Sequence, residues 1–163
     1  KTLYPIIISS QTIPIIAIAP ILLVWFGYGL LPKILVVGLI AFFPIAVNTI
    51  DGLKSIDKDI VKMMKTLGAN KSQIFIKIQI PNSLPYIFTG LRIGMAASVI
   101  GAVISEWVGS SEGLGYLMIR SKPQFLTERV FAAIFLLSII GFLLFLFLNY
   151  CEKKIVYWKT SSE

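Results

Sequence analysis

The chain has 163 residues, of which 56% are hydrophobic and 14% charged, with a mean hydropathy of +0.85. A soluble domain carries about a quarter charged residues, so the composition excludes an ordinary water-soluble fold and points to membrane helices. The net charge of +7 comes from basic residues that flank apolar blocks, without the interleaved aromatics of a nucleic-acid surface, so no nucleic acid is expected as a partner. Histidine is absent and Cys151 is the only cysteine. That removes the commonest general base, the commonest metal ligand and any disulfide framework; no catalytic residue and no metal site are expected.

The first residue is Lys1 rather than Met, and no signal-peptide pattern follows. The expectation is a single transmembrane domain forming the later part of a longer membrane protein. Residues 3–26 form the first predicted span, long enough at about 1.5 Å per residue to cross a core of about 30 Å. Pro5, Pro14 and Pro20 interrupt it and predict a kinked helix packed against others. A tight connection from Gly27 to Lys33 leads to a second span over residues 34–50, with Pro44 and Asn48 near its far end.

Residues 51–81 are the only long polar stretch and carry six lysines. Lys54, Lys58, Lys62 and Lys65 fall on one helical stripe, and Ile56, Ile60, Met63 or Met64, and Leu67 on another. Ser55 or Asp57 is the expected N-cap, and Gly68 the residue whose left-handed conformation ends the helix. Asn70 and Gln73 read as a capping box that opens a second short helix. Two short helices joined at Leu67-Gly68-Ala69 on the wet side of a membrane are suited to being held by another molecule.

The third span, residues 84–105, carries a small-residue face of Gly90, Gly94, Ala96, Ala97, Ser98, Gly101 and Ala102 that lets helices approach closely. Arg92 is its one charge, expected to be solitary and to snorkel to the interface. Residues 106–128 form a loop in which 114–119 are apolar enough for a short helix. Glu106, where span meets loop, is an outer-face or pathway candidate, or else it pairs with Arg120 or Lys122 or fixes the loop that follows. Trp107, Gly113 and Gly115 are grouped with it as candidates. Trp25, Trp107 and Trp158 read as interface anchors. Asn48 and Ser98 are expected to hydrogen-bond between helices, and Glu112 to be a solvated loop residue. The fourth span, residues 129–150, ends in Glu152-Lys153-Lys154 and the Tyr157-Trp158 anchors. With four spans, eleven of the fifteen basic residues fall on the side of the 51–81 loop and the C-terminus, and four on the other. Loop and C-terminus are therefore expected to be cytoplasmic.

The stretch ending in Gly68-Ala69 and closing at Ile78, Ile80 and Pro81 resembles the cytoplasmic loop of inner-membrane permease subunits of bacterial ABC importers. That family loop opens on Glu-Ala-Ala, and the chain departs from it at Lys62-Met63-Met64. The run from Leu84 to Gly94, Glu106 with Gly113-Leu114-Gly115-Tyr116-Leu117, and Val24-Trp25-Phe26-Gly27 are similar to the nitrate/sulfonate/taurine subgroup. The runs from Glu106 to Gly109 and from Arg129 to Phe135 look more like its thiamine pyrimidine-precursor branch.

The resemblance implies an all-α bundle of the type I importer permease kind in the bacterial inner membrane, with about two further spans before Lys1. It assigns Lys62, Met63, Met64, Lys65, Thr66, Leu67, Gly68, Ala69, Ile78 and Pro81 to ATPase coupling. It also implies a cytoplasmic ATPase that binds ATP and Mg²⁺, an extracytoplasmic substrate-binding protein and a second permease subunit, in a homodimer. No Walker-type phosphate loop occurs in the chain, so no nucleotide is expected on it. A membrane-embedded enzyme would need clustered ionisable groups at membrane depth, which the sequence lacks. A passive channel or structural scaffold is the alternative, and it has no need of an exposed helix–Gly–helix module.

Overall fold

The structure is a computed structural model that describes residues 14–158. Those residues form α-helices joined by short turns. Helix α1 is Ile15–Phe26, α2 is Leu30–Lys54, α3 is Lys58–Thr66 and α4 is Lys71–Ile74. A π-helical turn, Phe75–Gln79, leads into α5, Ile80–Gly109. Helix α6 is Leu114–Ser121 and α7 is Thr127–Ile155. The part of the first predicted span before Pro14, including Pro5, lies outside the described residues.

Among the described residues, three helices are long and apolar enough to cross a membrane: Leu30–Lys54, Lys71–Gly109 and Thr127–Ile155. Each outruns its predicted span. Helix α2 starts within the expected Gly27–Lys33 connection, because Pro32 sits in its first turn, where its missing N–H costs nothing. The expected second short helix after Gly68 is not separate. It runs through the π turn into α5 as one 39-residue helix, about 58 Å long. Pro81 has no N–H for the Lys77 carbonyl and its ring crowds that carbonyl. The wider turn just before it, where the Ile80 N–H bonds the Phe75 carbonyl, accommodates the ring without ending the helix.

Helices α2 and α5 are antiparallel and form the most extensive contact among the described elements. Lipid offers no hydrophobic drive for helices to associate, so close packing must supply it. Gly90 and Gly94 bring the α5 backbone against Pro44, Ile45 and Ala41 of α2. Where α1 meets α2, Ala19, Leu22 and Val36 are buried with Ile18, Ile40 and Val108 around them. Helix α7 runs antiparallel to α5 and packs on it far less extensively.

Asn48 and Ser98 do not bridge helices as expected. Each donates to the carbonyl four residues back in its own helix, Asn48 to Pro44 at 2.8 Å and Ser98 to Gly94 at 2.7 Å. Both make the local bond to the preceding turn that short polar side chains form within a helix.

Candidate functional site

At one pole of the bundle the chain between α2 and α5 forms a capped, exposed module. Asp57 is the N-cap of α3: its carboxylate accepts from the Asp59 N–H at 2.8 Å, and Asp59 lies in the first turn, where an anion favours the helix. Lys62 donates to Asp59 at 2.8 Å in a fully solvated pair that adds little stability. At the other end Gly68 has φ +82°, the left-handed region expected of it. Its N–H bonds the Lys65 carbonyl at 3.0 Å, and the Ala69 N–H bonds the Met64 carbonyl at 2.9 Å. This is a Schellman motif, which satisfies carbonyls that a helix end otherwise leaves open. Asn70 then opens α4 with the expected capping box: its side chain accepts from the Gln73 N–H, and Gln73 accepts from the Asn70 N–H.

The two roots of this module are tied together. Asn82 of α5 donates to the Ser55 hydroxyl at 3.0 Å, and Ser55 donates to the Gly52 carbonyl at 2.9 Å. Sequence reading missed Asn82, because its partner lies 27 residues away.

No residue of α3 is buried. Ile60, Met63 and Leu67 share one stripe and are 44, 57 and 74% exposed, while Lys62, Lys65 and Thr66 stand exposed beside them. Met64 and Ala69 are half-buried on the inner side, and Ile78 and Pro81 are half-buried where the long helix enters the bundle. A Cβ added at Gly68 would meet nothing within 4 Å. Glycine therefore serves this turn through its left-handed backbone conformation, and open space surrounds it.

At the opposite pole, Glu106, Gly113 and Gly115 come together. Glu106 Oε2 accepts from the Gly115 N–H at 2.6 Å and from the Tyr116 N–H at 3.4 Å. It takes the place of an N-cap side chain for α6, whose own N-cap residue is Gly113. Gly113 has φ +120°, and a Cβ there would run into the Glu106 carboxylate; at Gly115 a Cβ would lie 2.9 Å from the Val103 carbonyl oxygen. Of the readings open to Glu106, the structure favours fixing the loop that follows. Arg120 does not pair with it and instead donates to the Tyr116 hydroxyl at 3.2 Å. Trp107 stands apart from this cradle and lines an apolar pocket of about 600 Å³ with Met118, Phe125, Val130 and Phe131. Nearby, Lys33 of α2 donates to Ser110 at 2.7 Å and joins the two helix ends.

Arg92 is not solitary. Its Nη1 donates to Glu152 Oε2 at 2.6 Å and to Asn149 Oδ1 at 3.0 Å, and its Nη2 to Thr89 Oγ1 at 3.3 Å. The antiparallel course of α5 and α7 brings Glu152 to the same level of the bundle, which spares Arg92 the need to reach water.

Residues 1–157 match the family model of the binding-protein-dependent transport system inner membrane component. The chain belongs to this family. It is 45% identical over 159 residues to the formylaminopyrimidine transport permease protein ThiX of Halalkalibacterium halodurans, covering 98% of this chain and 64% of that protein. It is 37% identical to the riboflavin transport system permease protein RibX of Chloroflexus aurantiacus, covering 99% of this chain and 60% of that protein. It is 36% identical to the taurine transport system permease protein TauC of Escherichia coli, covering 94% and 56%. The chain thus spans less than two thirds of the length of these relatives. The family is that of type I ABC permeases, and its all-helical architecture agrees with the one described above.

Proposed function

We propose that this inner-membrane component is the permease subunit of an ATP-driven ABC importer for a small organic solute, in the bacterial cell membrane. The observation that carries the proposal is the α3–Gly68–α4 module: capped at both ends of α3 and at the start of α4, apolar and basic on its exposed faces, and continuous with a 39-residue helix that runs through the bundle. Such an element has a surface made for a partner and a shaft that carries the partner's motion. Residues Lys62 to Ala69, with Ile78 and Pro81 at the root, form the coupling surface for a cytoplasmic ATPase, which holds ATP and Mg²⁺. The lysines of this loop put it and the C-terminus on the cytoplasmic side. A binding protein delivers solute at the Glu106–Trp107 pole, and a second copy of the chain completes the pathway.

For the solute, a pyrimidine-type thiamine precursor is favoured over taurine, sulfonate or nitrate. Identity to the formylaminopyrimidine permease, 45%, exceeds that to the taurine permease, 36%, and to a putative aliphatic sulfonates permease of Bacillus subtilis, 33%. The test is uptake by proteoliposomes that hold the full-length protein with its ATPase and binding protein. Formylaminopyrimidine accumulation that depends on ATP, with taurine excluded, is the expected result. Taurine or alkanesulfonate uptake without pyrimidine uptake overturns the choice of solute.

A further inference from the structure

Helix α7 is held to the bundle by two unlike fastenings. At the outer pole it packs on α6, which Glu106 in turn fixes to the end of α5. Along its middle, apolar grooves of about 990 and 550 Å³ flank its contact with α5, and Val99 and Leu137 line both. Toward the inner end of α7 the fastening is polar: Arg92 reaches from α5 to Glu152 and Asn149 of α7 while bracing on Thr89 of its own helix. Both charges are largely withdrawn from the surface, with 29% of the Arg92 side chain and 14% of the Glu152 side chain exposed. An ion pair so placed is stable only when its remaining donors and acceptors are also satisfied, and Asn149 and Thr89 supply that. Thr89 is itself fixed, since its hydroxyl donates to the Pro85 carbonyl at 3.0 Å.

Arg92 belongs to the same continuous helix as the coupling turn. A displacement of that turn therefore moves Arg92, whereas α7 has no covalent connection to the turn except by way of the outer pole. We infer that the Arg92–Glu152 pair is the link through which displacement of the coupling turn is handed to α7. Both are positioning residues: neither touches solute, and their effect is to make α7 follow α5 toward its inner end. The inference rests on the coupling role proposed above, although the link itself is a property of the chain alone.

The test uses the full-length protein in lipid nanodiscs, in a background with Cys151→Ser and no other cysteine, with spin labels at Lys77→Cys and Lys153→Cys. With the native pair, the distance between the two labels of one chain, isolated by diluting labelled with unlabelled protein, is a single narrow peak. Arg92→Met with Glu152→Leu removes both charges, so no lone buried charge remains to unfold the protein, and the distribution broadens or shifts. Arg92→Glu with Glu152→Arg restores the narrow peak. A double-apolar variant whose distribution superimposes on the native one overturns the link. With ATPase and binding protein added, the double-apolar variant hydrolyses ATP within about twofold of native while uptake falls roughly tenfold, and uptake equal to native overturns the role in coupling. Failure of the native chain to retain an ATPase defeats the functional reading instead, and the distance measurement still judges the link.

Discussion

Gly90→Leu abolishes the folded bundle, and Gly90→Ala lowers its stability by roughly 1–3 kcal/mol, the usual range for overpacking. A Cβ at Gly90 would lie 2.9 Å from Ile45 Cα, 2.9 Å from the Pro44 carbonyl oxygen and 3.0 Å from Asn48 Cβ. Two of these are backbone atoms of a helix, so the methyl is accommodated only if α2 and α5 separate. Separation costs packing along the most extensive contact in the described fold. Alanine is favoured over glycine inside a helix by about 1 kcal/mol, which offsets part of the loss and leaves the sign destabilising. Gly38 gives the contrast, since a Cβ there would meet nothing within 4 Å. Gly38→Ala therefore keeps the native melting temperature or raises it. The apparent melting temperature, from size-exclusion chromatography of detergent-solubilised protein after heating, checks all three.

Gly113→Ala detaches α6 from the end of α5, at a cost of the order of 3 kcal/mol from backbone strain and lost hydrogen bonds together. The residue has φ +120° and ψ 169°, a region open essentially to glycine alone, and its Cβ would occupy the place of the Glu106 carboxylate. Glu106→Ala costs about 2 kcal/mol, because a charged acceptor for two amides is lost. Glu106→Gln keeps an acceptor and costs less. Since the two residues share one contact, the Gly113→Ala/Glu106→Ala double variant loses less than the sum of the singles. Limited trypsinolysis after Arg120 reads the release of α6 directly, since Pro123 shields Lys122 from the protease. Unchanged cleavage in Gly113→Ala contradicts this account of the cradle.

Features written in local spacing were legible in the sequence. The Asp57 cap, the left-handed Gly68, the Asn70–Gln73 capping box and the short helix after Gly113 depend on residues within a few positions of one another. The packing face of Gly90 and Gly94 was legible as a period, though not its partner helix. The merger of α4 with α5 was hidden by Pro81 and Pro85, which mark a boundary in water; here a π turn accommodates Pro81, and Pro85 lies within α5. Glu106, Gly113 and Gly115 were each singled out, but their union depends on a loop geometry that no spacing encodes. The Arg92–Glu152 pair spans 60 residues and exists only because two helices run antiparallel at matched depth.

The most direct measurement is retention of the ATPase by the full-length protein, purified through a tag on this chain, compared between native and Gly68→Asn. Asparagine adopts the left-handed conformation with little strain, and no atom within 4 Å opposes its Cβ, so the turn itself persists. The native protein is expected to bring an ATPase with it, and Gly68→Asn, still folded, to lose it or to hydrolyse ATP without transport. A native protein that retains no ATPase, with Gly68→Asn indistinguishable from it, contradicts the coupling role and moves the passive channel or scaffold to the front.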